Sequence, residues 1–217
     1  MNRKPDQENV FQKQDLSNFE RMREEARAIF VKTDPEIIRS RLPIEWDEDF
    51  YYINYLGEKF KVSVRDGYCL HMDGSRALPY EAVILYDVLA HGVNKPFLTG
   101  RWTLLVNLKG TIASGHAQTL THYQENQEFE GKAEELKNAC IHLGGKKADH
   151  GDVSYVIPVF DFFPFWLQFW DGDEEFPASM TFKWDQNSLD YFYYETLEYM
   201  TRDIKNKLVR MLDKSER

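Results

Sequence analysis

Seven of the eleven residues from Phe160 to Trp170 are Phe or Trp, and no other feature restricts the fold as strongly. Successive strand side chains point to opposite faces. Over Phe165–Trp170, Phe165, Leu167 and Phe169 therefore share one face, and Trp166, Gln168 and Trp170 the other. A strand apolar on both faces must be covered on both. Two readings fit: a central strand packed between two layers, or a strand with one face lining a cavity for a large flat ligand. Downstream, Ala178, Met180, Phe182 and Trp184 alternate with Ser179, Thr181 and Lys183. The two runs predict a hairpin, Phe165–Trp184, with 171–177 as its loop.

The same period-two alternation predicts a hairpin over 50–65, turning at Gly57, with a further strand at Tyr68–His71. Strands are also expected at Arg101–Leu108 and Val153–Phe160. Helical spacing places Phe19, Met22, Ala26, Ile29 and Phe30 on one face, behind a capping box at Ser17 and Glu20. Asp34-Pro35 pairs an N-cap with an N1 proline, so a short helix starts there. Pro79 opens a helix that ends near Gly92, Ala133–Leu143 forms another, and 115–126 is weakly helical. Leu197, Met200, Ile204, Leu208 and Met211 make the inner face of a long C-terminal helix. Strands that come in hairpins, with helices in separate runs, define an α+β fold. We expect an antiparallel, hairpin-built sheet packed by helices in a single domain over 16–217, behind a flexible tail over 1–15.

With 217 residues the chain can bury a sizeable core without metal or disulfide staples. Its formal charge of −9 argues against nucleic-acid binding through a basic surface. The longest apolar stretch, Val153–Trp170, is broken by Pro158, Asp161, Pro164 and Gln168, so no membrane span is expected. Met1–Gln14 is polar and lacks the apolar core of a signal peptide. Two cysteines are too few for a disulfide framework, and a cytoplasmic location with reduced thiols is expected.

Four places carry chemistry. Besides the aromatic strand, Asp171, Asp173, Glu174 and Glu175 crowd the hairpin loop. Such carboxylates can bind hard cations or raise one another's pKa for acid–base work. They can also simply accept backbone N–H groups at a turn. The D-G-D-E-E spacing matches no calcium loop, so no metal is assigned to it. Third, Thr99–Trp102 offers Arg101 as a fork of donors for an anion and Trp102 as a stacking face. Alternatively, Arg101 pairs with the acidic loop. Fourth, Cys69/His71 and Cys140/His142 are formally a zinc set. The first pair shares a strand face but the second points apart on a helix, so zinc is not expected. His91, His116, His122 and His150 show no mutual spacing, although a single His can ligate a tetrapyrrole iron or cobalt.

The order A-L-P-Y-E-A-V-I-L-Y-D-V-L (77–89), L-T-G-R-W (98–102), L-G-G (143–145), H-G-D (150–152) and W-D-G-D-E-E-F-P-A (170–178), closed by an amphipathic helix, resembles a domain family of unknown function from anaerobic bacteria and archaea. The resemblance covers residues 20–212, with G-D-E-E-F-P-A and L-T-G-x-W as its signatures. It implies a setting in anaerobic one-carbon and corrinoid metabolism. It also implies an occasional iron–sulfur extension, for which this chain carries no cysteine cluster. The resulting expectation is a small-molecule-binding protein, with haem or a corrinoid as the ligand class, held by Arg101, Trp102, Trp166 and Trp170 and the acids of the loop. The alternatives are an enzyme using the acidic loop, and an interaction subunit that docks on a partner enzyme.

Overall fold

A computed structural model describes residues 13–108 and 127–215. Of the tail expected over 1–15, residues 1–12 lie outside the described residues and 13–15 are helical; the helix expected over 115–126, with His116 and His122, also lies outside them. Helix α1 spans Lys13–Phe30, so Ser17 lies inside the helix and is not its cap. α2 (Pro35–Arg41) starts where the sequence places it, with the Asp34 carboxylate accepting the Glu36 N–H at 3.0 Å. The first sheet follows, an antiparallel meander of β1 (Glu45–Trp46), β2 (Phe50–Tyr55), β3 (Glu58–Ser63) and β4 (Cys69–His71). Then come α3 (Pro79–Ala90), β5 (Trp102–Leu104) and α4 (Ala133–His142). They are followed by β6 (Lys146–Lys147), β7 (Val153–Phe160), β8 (Phe163–Trp170), β9 (Ser179–Asp185) and α5 (Tyr194–Ser215).

The architecture is α+β, but the strands divide into two antiparallel sheets and do not form one. The second sheet has the order β5-β9-β8-β7-β6. The tight turn of the β2–β3 hairpin joins the two. Leu56 and Gly57 both hold positive φ, +48° and +78°, as the favoured two-residue hairpin turn requires. Leu56 bears that strain while fully buried, and its N–H reaches the Val159 carbonyl of β7 at 2.8 Å. Nearby, the Asn54 amide donates to Asp161 at 2.7 Å.

The aromatic run is two strands. Phe160 closes β7, Asp161 and Phe162 turn, and β8 begins at Phe163, two residues earlier than the alternation predicts. Its inner face is core: Phe163, Phe165, Leu167 and Phe169 have no exposed surface. Phe163 meets Phe192 at 4.8 Å and Tyr191 at 5.1 Å between ring centroids. The strand expected at Arg101–Leu108 stops at Leu104, where the chain winds into a single 3₁₀ turn over Leu105–Asn107.

α3 is buried from Tyr80 to Leu89 without interruption. It packs against α1 on one side and α5 on the other. A buried polar contact fastens α5 to the first sheet: the Tyr55 hydroxyl donates to the Asp203 carboxylate at 2.8 Å. Burial raises the pKa of Asp203. Both cysteines are buried, and burial pushes each thiol up to about 12. His71 is engaged by Glu58 at 2.8 Å. Among the described residues no three His, Cys, Asp or Glu side chains group around a point that could hold a metal ion. No helix among them is long and apolar enough to cross a membrane.

Candidate functional site

The sequence-derived site residues fall into two separate places. Trp102 pairs with Asp185 at one end of β9, whereas Trp170 pairs with Ser179 at the other. Six residues of strand separate them, about 20 Å. Arg101 is exposed at the far end of the hairpin from the acids, and the Arg101–loop pairing does not form. What holds Thr99–Trp102 is Asp185, which is 1% exposed. Its carboxylate accepts the N–H groups of Thr99 (3.1 Å), Gly100 (2.7 Å) and Asn187 (2.8 Å), and the Thr99 hydroxyl at 3.1 Å. The L-T-G-R-W segment is thus a turn wrapped around a buried carboxylate.

Next to it, on the face of the second sheet turned from the core, Trp102 and Trp166 meet edge to face at 6.1 Å. The Trp166 N–H donates to Ser154 Oγ at 2.9 Å, and Lys183 Nζ lies 4.6 Å from the Trp166 ring. His150, held at φ +74°, places its ring 6.4 Å from the same indole. This face is unevenly covered: Gln168 is buried, Trp166 half-buried and Trp170 exposed.

The acidic loop lines a hollow of about 610 Å³ with Trp170, Phe176 and Pro177. Its carboxylates serve the backbone. Asp171 accepts the N–H groups of Gly131 (2.8 Å) and Gly172 (2.9 Å), and Asp152 accepts that of Asp171 at 2.8 Å. Asp173 Oδ1 accepts from Glu175 (2.8 Å) and Phe176 (2.7 Å), and these two bonds hold its pKa below the ordinary value. Glu174 and Glu175 are exposed beside them.

A different hollow has the chemistry of a binding site. α1, α3 and the first turns of α5 enclose a groove of about 330 Å³. Met22, Ala26 and Ile29 form one wall, Val83, Tyr86 and Ala90 the floor, and Tyr193, Thr196 and Tyr199 the other wall. Asp87 stands among them on α3, one charged residue in an otherwise apolar stretch. It is 8% exposed. Its Oδ2 accepts the Tyr193 N–H at 3.0 Å, and the Thr196 hydroxyl bonds the same carboxyl. The carboxyl thereby caps the N-terminus of α5, where the helix dipole favours negative charge. Its other oxygen, Oδ1, has no hydrogen-bond partner and no solvent contact. Burial pushes the carboxyl up to about 6 despite those two bonds and the nearby Arg41 guanidinium. One turn on, His91 lies against the Tyr193 ring with centroids 3.7 Å apart, and burial lowers its pKa.

This groove escapes sequence reading because its walls come from residues 22–29, 83–91 and 193–199. One signal does exist: Asp87 interrupts the run A-V-I-L-Y-D-V-L-A.

Fold and groove define the class first: an α+β domain of two antiparallel sheets, with a half-partnered acid set in an apolar helical groove. Residues 34–206 match the sequence model of a domain of unknown function, DUF3786, and the chain belongs to that family. The match is narrower than the motif order predicts, and α1 with its groove wall precedes it. No curated protein and no solved structure matches the chain.

Proposed function

We propose that the chain is a small-molecule-binding protein whose ligand lies in the groove between α1, α3 and α5. The observation that carries this reading is Asp87 Oδ1. A buried acceptor without a donor costs about 1–3 kcal/mol, and Asp87 is among the residues that line an apolar hollow of ligand size. An apolar wall with a few convergent polar groups is the usual composition of a ligand site. The test is a fragment screen by protein NMR on the whole chain and on Ala26→Phe, which fills the groove from the α1 side. Fragments should shift resonances of Val83, Asp87, Ala90 and Tyr193, and Ala26→Phe should abolish those shifts. Shifts confined to other surfaces would refute the reading.

A second reading keeps haem or a corrinoid as ligand and uses the Trp102–Trp166 face. Two indoles, an imidazole and the Lys183 ammonium converge there, and a planar anionic ring system needs those groups. An anaerobic, corrinoid-linked role would then follow from the resemblance. Addition of haem or cobalamin at micromolar protein should shift the Soret or corrin band, with loss in Trp166→Ala. An unchanged spectrum disposes of this second reading.

A further inference from the structure

We propose that α1 is a lid on the groove, seated at its C-terminal end on the first sheet and latched near its other end by Phe19, so that a ligand enters when α1 lifts from α3 and α5. This rests on the groove being the ligand site and adds how that site opens and closes.

α1 is held at two places with a gap between them. Phe19 and Phe30 are its only buried side chains among those described. They lie eleven residues apart, about 16 Å along a helix. Between them Met22, Ala26 and Ile29 line the hollow of about 330 Å³, and none of the three is buried. The floor is different: α3 is buried from Tyr80 to Leu89. An element with few buried apolar contacts opens at lower free energy than the core it rests on.

The two attachments are unequal. At the C-terminal end the Phe30 ring lies 5.5 Å from that of Tyr86 and 6.1 Å from that of Tyr51. Arg27 donates to the Asp66 carbonyl at 2.8 Å. The helix end sits so close on the turn at Gly67 that a Cβ there would lie 2.9 Å from Val31, 3.0 Å from Arg27 and 3.1 Å from Phe30. At the other end the Phe19 ring meets Tyr199 at 5.1 Å and Tyr80 at 6.2 Å, both edge to face. The Tyr199 hydroxyl adds one long contact to Met22 Sδ at 3.9 Å. The ion pairs of Arg23 and Arg27 with Glu24 are internal to α1 and do not resist its lifting. Residues up to Ala26 therefore come away about the seated last turn once Phe19 leaves its place. Switching motions of this kind turn on a few residues at the end of an element. The family match over 34–206 includes α3 and the first turns of α5 but not α1, so the lid is an addition to the matched unit.

Hydrogen exchange of the whole chain, read by NMR, tests the lid. A helix of this length is marginal once it leaves its support, so lifting exposes its amides. Protection factors over Arg21–Ala26 should be at least about a hundredfold lower than over Ile84–Val88, and should depend less steeply on urea. Phe163→Leu weakens the second sheet, which the lifted state keeps intact. It should speed exchange in α3 at least about fivefold and leave α1 within about twofold of the parent. Phe19→Ala should speed α1 exchange at least about tenfold. Saturating 2-phenylethanol, placed in the groove by shifts of Val83 and Ala90, should slow α1 exchange at least about threefold. Equal protection in α1 and α3, with an equal response to Phe163→Leu, overturns the lid and leaves the groove as a ligand site. So does a Phe19→Ala chain that fails to fold, or 2-phenylethanol bound in the groove with α1 exchange unchanged. If α1 opens alone but neither 2-phenylethanol nor any screened fragment shifts the groove, the opening of α1 is upheld and the groove reading falls.

Discussion

The Asp87 carboxylate accepts the backbone N–H of Tyr193 at 3.0 Å, so one side chain of α3 caps the helix that closes the groove above it. The bond uses one oxygen. The other is sealed from water without a hydrogen-bond partner.

That cost is measurable. A carboxyl raised from 3.8 to about 6 binds its proton more tightly when folded than when unfolded. The unfolded chain therefore carries fewer protons between those values, and stability falls as pH rises from about 3.8 through about 6. The loss amounts to about 3 kcal/mol and persists at higher pH. Asp87→Asn keeps the acceptor for Tyr193 and removes the charge. Urea denaturation at pH 7.5 should show it more stable than the parent by up to about 3 kcal/mol, with a shallower slope between pH 4 and 6. A less stable variant with the slope intact would show that the charge is not the liability described.

Gly92 fixes the rim of the groove. It sits at φ +100°, and a Cβ there would lie 2.2 Å from the Asp190 carbonyl oxygen. Gly92→Ala must push the 188–190 turn outward and carry Tyr193 away from His91. It should cost about 2 kcal/mol or more and abolish fragment binding in the groove. Full stability and binding would mean that the rim tolerates a different path.

The two faces of β8 should respond unequally. Phe163 is fully buried against Tyr191, Phe192 and Trp184, so Phe163→Ala should cost about 3–5 kcal/mol. Trp166 is half-buried on the other face, so Trp166→Ala should cost less than about half of that. Equal losses would place Trp166 in the core.

Asp185 and Arg101 divide structure from surface at one turn. Asp185→Ala strips acceptors from three backbone N–H groups and should cost about 3 kcal/mol or more. Arg101→Ala should lie within about 0.5 kcal/mol of the parent. Both follow from denaturation midpoints. A large loss on removing Arg101 would contradict the turn as described.

Alternation and capping chemistry locate β2, β3, β7, β9, α2 and α3 to within a residue or two, because each is decided by neighbours in sequence. The same alternation identifies the inner face of β8. Sequence separates poorly what long-range packing decides. The two sheets meet where the Leu56 N–H reaches the Val159 carbonyl, a contact across about a hundred residues. The acids at 171–175 attract notice by density, yet Asp171 and Asp173 spend their oxygens on turn amides. Asp87 interrupts an apolar run, but its groove exists only once α1 and α5 pack beside α3.

The most direct measurement is a carbon-13 NMR titration of the Asp87 carboxyl in the whole chain. The account predicts a midpoint about 6. A midpoint near 3.8 would contradict it, because burial would then not oppose the charge.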